Sequence, residues 1–233
     1  MIPSWVAYLI DKLPEKWVRE ISYMLVKKDL KKYADIKITG IERIDNVKGP
    51  KIFVSNHLSN SDGLVLNKVL RKYDPYFVAG VKLSNDPVTK LGTKIVKTIP
   101  IKPNSADKDA ISKIIKIVKS GENLVIFPEG TRSRKKEMLQ GKKGVLLIAK
   151  LTKATIIPIG IWGTEELLPI NLEGNMDAEK WHNAKVNVVF GEPITIEKKE
   201  KLEDKHKYED RTMNYIMYSI AKLLPEQYRG YYK

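Results

Sequence analysis

Ile52-Phe53-Val54-Ser55-Asn56-His57-Leu58-Ser59-Asn60-Ser61-Asp62-Gly63 opens on apolar residues, turns abruptly polar, and leads into Leu64-Val65-Leu66. Such a stretch reads as a buried strand, a polar turn and the start of a helix, and polar side chains gathered at a strand end are where α/β sheets place their sites. A second stretch repeats the design: Leu124-Val125-Ile126-Phe127 stops at Pro128 and opens into Glu129-Gly130-Thr131-Arg132-Ser133-Arg134.

Working outward, short β-branched runs recur at Asp35 to Ile44, Tyr76 to Val81, Ile95 to Ile101, Thr155 to Ile161 and Val186 to Phe190. Between them, Ile111, Ile114, Ile115 and Val118 recur at helical spacing, as do Val145, Leu146, Ile148, Ala149 and Leu151 after Gly144. Strands alternating with helices predict an α/β fold, with a mixed, largely parallel central sheet flanked by helices. A last helix is expected over Met213 to Leu224, ending before Pro225, with the charged stretch Glu197 to Arg211 ahead of it as a solvated face.

Residues 1–33 carry Trp5, Val6, Leu9, Ile10 and Leu13, then Trp17, Val18, Ile21 and Leu25 beyond Pro14, with Lys and Arg interleaved. This predicts an N-terminal amphipathic two-helix motif, suited either to the headgroup layer of a membrane or to ordinary docking on a domain. Asp11, Lys12, Glu15 and Lys16 interrupt the apolar run, so neither a signal peptide nor a spanning helix fits. Residues 34–233 are expected to form one α/β domain.

The 42 Lys and Arg against 28 Asp and Glu leave a net charge of +14, which favours polyanions. The excess is scattered, with no aromatic-interleaved RNA motif and no zinc-finger spacing, so no nucleic-acid partner is expected. The absence of cysteine excludes disulfides and a thiolate nucleophile, and leaves cytoplasmic exposure as the default. The three histidines, His57, His182 and His206, lack paired ligand spacing, which argues against a metal site.

His57 and Asp62 can meet if the turn folds back; a carboxylate on one imidazole nitrogen fixes the tautomer and leaves the other nitrogen as a base. The structural alternative is that Asp62 caps the helix and His57 is a turn residue, and spacing alone favours it. In the second stretch Arg132 and Arg134 could hold a phosphate while Gly130 allows close backbone approach, and Lys102, after Thr98-Ile99-Pro100-Ile101 and before Pro103, supplies another cation.

In their order along the chain, Asn56-His57-x4-Asp62 and Phe127-Pro128-Glu129-Gly130-Thr131-Arg132 resemble the glycerolipid acyltransferase family, in its branch acting on 1-acylglycerol 3-phosphate, over about residues 51 to 161. The apolar-Pro-apolar pattern of Ile157-Pro158-Ile159 matches a further block of that family. The resemblance reverses the preference at His57. It implies that His57 and Asp62 are the catalytic pair and that Glu129, Gly130, Thr131 and Arg132, with Lys102, contact the acceptor phosphate. One departure is Lys102 itself, where the family commonly carries an Arg. The resemblance further implies transfer of a fatty acyl chain from an acyl-CoA or acyl-carrier-protein thioester to the sn-2 hydroxyl of lysophosphatidic acid, or else to another lysophospholipid or glycerol 3-phosphate. No bound cofactor is implied. The place of work would be an anionic membrane surface on the cytoplasmic side, held in a peripheral or monotopic manner by residues 1–33.

Overall fold

The computed structural model describes residues 4–81, 95–102, 107–171 and 179–233, apart from the side chains of Ser4, Trp5, Ala7, Glu15 and Arg19. The Trp5 side chain and Pro103, both used in reading the sequence, therefore lie outside the described residues. The helices are α1 (Ser4–Asp11), α2 (Glu15–Tyr33), α3 (Ser61–Val69), α4 (Lys108–Lys119), α5 (Gly144–Thr152), α6 (Thr164–Leu167) and α7 (Lys205–Ala221). The strands are β1 (Ala34–Thr39), β2 (Lys51–Ser55), β3 (Tyr76–Gly80), β4 (Lys97–Ile101), β5 (Leu124–Ile126), β6 (Thr155–Trp162) and β7 (Ala184–Phe190).

Among the described residues the strands form one sheet in the order β1-β7-β6-β2-β5-β3-β4. Every neighbouring pair is parallel except β6 with β7. The expected mixed, largely parallel sheet with flanking helices is therefore the observed fold.

Successive side chains of a strand point to opposite faces, and here they feed two cores. Ile52, Val54, Leu124 and Ile156 join Ile114 and Val118 of α4, Val145 and Ile148 of α5, and Ile216 and Ile220 of α7. Phe53, Val125, Ile157 and Ile159 join Leu30 of α2, Val65 and Leu66 of α3, and Leu167 of α6 on the other face. The central strands are thus apolar on both sides, as strands covered by helices on both faces must be.

Proline sits where a sheet tolerates it. Pro100 lies on β4, at the edge. Pro158 lies in β6, between the isolated Ile156–Ile194 bridge and the Ile159–Phe190 pair, where its carbonyl still accepts from the Gly191 N–H at 2.9 Å. Gly160 of β6 leaves room for the chain beyond α7, since a Cβ there would come within 2.8 Å of Leu223 Cβ.

Two expected elements differ. The first strand ends at Thr39, and Ile41–Ile44 turn into a 3-10 helix that drives Ile44 into the core. The last helix begins at Lys205, inside the charged stretch read as a solvated face, because the Asp204 side chain caps it by accepting from the His206 and Lys207 N–H groups. Tyr208 of that stretch is buried.

Beyond α7 the chain returns to the middle of the molecule. Met138 N–H donates to Tyr228 O at 2.8 Å, Tyr231 N–H to Met138 O at 3.1 Å, and Gly141 N–H to the Tyr232 hydroxyl at 2.9 Å. Segment 226–232 therefore clasps the loop that precedes α5.

Gly160→Ala is expected to lower the unfolding free energy by about 1–3 kcal/mol through overpacking against Leu223, measured by urea denaturation.

Candidate active site

Strands β2 and β5 are adjacent, parallel and in register, with Ile52 opposite Leu124, Phe53 opposite Val125 and Val54 opposite Ile126. His57 comes three residues after Val54 and Glu129 three residues after Ile126, so the two leave the sheet side by side. The His57 N–H donates to Glu129 Oε1 at 3.0 Å, and the His57 carbonyl accepts from the Ser133 N–H at 2.8 Å. The loop after β5 thus holds both backbone polar groups of His57. Asn56 secures the other side, its amide donating to Ile161 O and accepting from Ile161 N–H at the end of β6.

The turn folds back as the spacing requires. Asp62 Oδ2 lies 2.7 Å from His57 Nδ1 and accepts from the Leu58 N–H at 2.7 Å and the Ser59 N–H at 2.9 Å. An oxygen already taking two backbone donors is an acceptor toward the ring, so the proton sits on Nδ1 and the lone pair on Nε2. Asp62 is buried, and its Oδ1 has no partner among the described residues. The His57 ring stacks on Phe127, with centroids 4.0 Å apart and planes at 14°. Its side chain keeps 19% exposure, enough to reach an incoming group.

Glu129 occupies a different place from the phosphate contact expected of it. Its carboxylate is 1% exposed and turned onto the His57 and Leu139 N–H groups, away from solvent. Burial pushes this carboxyl up to about 8; the Leu139 and His57 N–H groups pull the other way, and the charge of Asp62 adds to the rise.

Arg132 reaches the turn through a carboxylate, its Nη1 3.1 Å from Oε1 of the buried Glu179, whose Oε2 accepts from the Asn60 amide at 2.7 Å. Gly130 adopts a φ of +69° and faces Lys142, whose Nζ would lie 3.0 Å from a Cβ placed there. Thr131 is exposed beside it. Lys102 ends the edge strand β4, the third strand from β2 and so roughly 14 Å away across the sheet at the usual strand spacing; its N–H donates to Asp107 Oδ2. Among the described residues no group of three or more His, Asp or Glu side chains could hold a metal.

Reading the sequence missed Phe127, Ser133, Lys142 and Glu179. Phe127 carried a signal, as the last apolar residue of its strand. Ser133 acts through its backbone, and Glu179 stands 117 residues from Asp62 with no motif around it.

Residues 35–162, more than half of the chain, match the acyltransferase family. The chain belongs to that family. Its relatives include a chloroplastic 1-acyl-sn-glycerol-3-phosphate acyltransferase of Brassica napus, 27% identical over 189 residues, 80% of this chain and 53% of that protein. The 1-acyl-sn-glycerol-3-phosphate acyltransferase of Bacillus subtilis (strain 168) is 24% identical over 143 residues, 61% of this chain and 66% of that protein. This acyltransferase chain spans about half the length of the plant relatives it matches. Its fold is that of the 1-acyl-sn-glycerophosphate acyltransferase PlsC of Thermotoga maritima, with a TM-score of 0.62 at 23% identity over 91% of this chain and 86% of that one.

A carboxyl raised from 4.5 to about 8 on folding stabilises the fold fully below pH 4.5 and loses that contribution as pH rises to about 8. Between those limits the unfolding free energy is expected to fall with pH by up to about 1.4 kcal/mol per unit on account of this one proton. Denaturant titrations of the parent and of Glu129→Gln across that range check it: the variant should show the shallower pH slope.

Proposed function

We propose that this acyltransferase moves a fatty acyl chain from an acyl thioester to the free sn-2 hydroxyl of lysophosphatidic acid, yielding phosphatidic acid in phospholipid biosynthesis. The observation that carries the reading is the His57–Asp62 pair, with its proton on Nδ1 and Nε2 left as base. Nε2 takes the hydroxyl proton as the oxygen attacks the thioester carbonyl, and buried Asp62 stabilises the imidazolium. The new C–O bond forms, the C–S bond breaks, and the imidazolium returns the proton to the leaving thiolate.

The attack is direct, without an acyl-enzyme. The chain has no cysteine. The serines of the turn are committed elsewhere, Ser59 Oγ donating to Leu168 O at 2.7 Å and Ser61 Oγ to Thr164 O at 3.2 Å. Arg132 and the Gly130–Thr131 backbone take the acceptor phosphate, with Lys102 as an outlying cation. Glu129 acts behind them, positioning His57 through its backbone. Lys102, in place of the family's usual Arg, is the residue that would extend acceptor choice to another lysophospholipid or glycerol 3-phosphate.

The work is done at a membrane surface. Among the described residues no helix is long and apolar enough to cross a membrane. Helices α1 and α2 pack on each other through Ile10 and Val18 and leave Leu9, Leu13, Trp17 and Met24 exposed, with Lys12 and Lys16 beside them. Apolar side chains next to lysines suit the headgroup layer of an anionic leaflet, which makes residues 1–33 a peripheral anchor and the cytoplasmic face the place of work.

Purified protein on vesicles, given lysophosphatidic acid with acyl-CoA or acyl-carrier-protein donors, should form phosphatidic acid; failure with both donors would overturn the acceptor. His57→Ala should lower turnover by about three to four orders of magnitude with the fold intact. Replacing Leu9, Leu13 and Trp17 together by Glu should release the protein from anionic vesicles in co-sedimentation, with its circular dichroism unchanged.

A further inference from the structure

Glu179 is a carboxylate buried beside the site for which the mechanism above has no use. Its Oε1 faces Arg132 Nη1 at 3.1 Å and also accepts from the Asn171 N–H at 3.4 Å, while its Oε2 accepts from the Asn60 side-chain amide at 2.7 Å. A buried charge of this kind persists only when paired and hydrogen-bonded, and each of these partners meets that need. Two of them belong to functional loops: Arg132 to the phosphate-binding loop, and Asn60 to the turn that carries His57 and Asp62, two residues before the latter. Glu179 is therefore a rigid bridge between the cation and the base.

We infer that Glu179 is a positioning residue that sets the guanidinium of Arg132 at a fixed place relative to His57, so that a phosphomonoester on Arg132 presents its free hydroxyl to Nε2. The inference rests on the reading of Arg132 as the acceptor-phosphate ligand. A guanidinium is a planar fork with five N–H donors; Glu179 engages Nη1 and anchors that end, and the remaining donors address a second oxyanion. The arginine is thus oriented before the acceptor arrives, and less freedom is lost on binding. Without Glu179 the long side chain would be held by neither partner, and the phosphate would meet a mobile charge.

The test is steady-state kinetics in mixed micelles with two acceptors, lysophosphatidic acid and the uncharged monoacylglycerol, for the parent, Glu179→Gln, Arg132→Ala and the double variant. Glu179→Gln should raise KM for lysophosphatidic acid about tenfold, the size expected for loss of one charge-assisted contact, with kcat within about twofold. It should move monoacylglycerol turnover far less than the lysophosphatidic acid KM and add nothing on the Arg132→Ala background. An unchanged KM for lysophosphatidic acid in Glu179→Gln, while Arg132→Ala raises it, overturns the positioning role alone. Equal losses with both acceptors show a merely structural carboxylate and overturn it as well. No effect of Arg132→Ala on that KM sinks the underlying phosphate assignment and the inference with it. If Glu179→Gln does not fold, Glu179→Asp, which keeps the charge but withdraws it by one methylene, carries the same expectations.

Discussion

The site depends on one constraint, the in-register parallel pairing of β2 with β5. Register fixes where each strand leaves the sheet, and a shift of one residue would reverse which side chains face each core. Because Val54 lies opposite Ile126, His57 emerges beside Glu129, and its N–H and C=O are both taken up by the neighbouring loop. The backbone that carries His57 is thus bound on both sides, independently of its ring. The ring is then fixed by Asp62 along its edge and by Phe127 on its face.

This arrangement places carboxylates in dry surroundings around a single imidazole: Asp62, Glu129 and Glu179 are all buried. Each offsets its desolvation differently. Asp62 takes two backbone N–H groups and the ring, Glu129 takes two backbone N–H groups alone, and Glu179 takes a guanidinium and two amide donors. The difference sets their duties. Asp62 touches the His57 ring, Glu129 holds the His57 backbone with a carboxyl that burial pushes up to about 8, and Glu179 joins Asn60 of the turn to Arg132. A net charge of +14 over the whole chain gives buried carboxylates such as Asp62 and Glu179 a favourable background field.

Much of the architecture was legible in the sequence, because apolar runs such as Ile52–Val54 and Leu124–Ile126 have one physical explanation when covered on both faces, and because α4 and α5 carry strict helical spacing. What failed was local. Ile44 was read as strand because the pull of the core on it is a tertiary effect, and the start of α7 was hidden in a charged stretch whose decisive feature is a single capping carboxylate. At the site, spacing allowed the contact of His57 with Asp62 but favoured a structural turn, and only the motif order weighed the other way. Glu129 was readable as important but not in its role, because nothing in a motif tells whether a carboxylate faces solvent or the backbone of its neighbour. Glu179 was invisible: Arg132 and Asn60, its side-chain partners, lie 47 and 119 residues away, and only the fold brings them together.

The clasp formed by segment 226–232 bears on how the molecule comes into being. Tyr228, Tyr231 and Tyr232 pin the loop of Met138 to Gly141, and Leu139 of that loop supplies one of the two N–H groups on Glu129. During synthesis His57 and Asp62 are made early, yet the loop behind them stays unpinned until residue 232 has left the ribosome. Contacts of such long sequence separation close late in folding, so the loop that backs Glu129 is framed only after the local turn of His57 and Asp62.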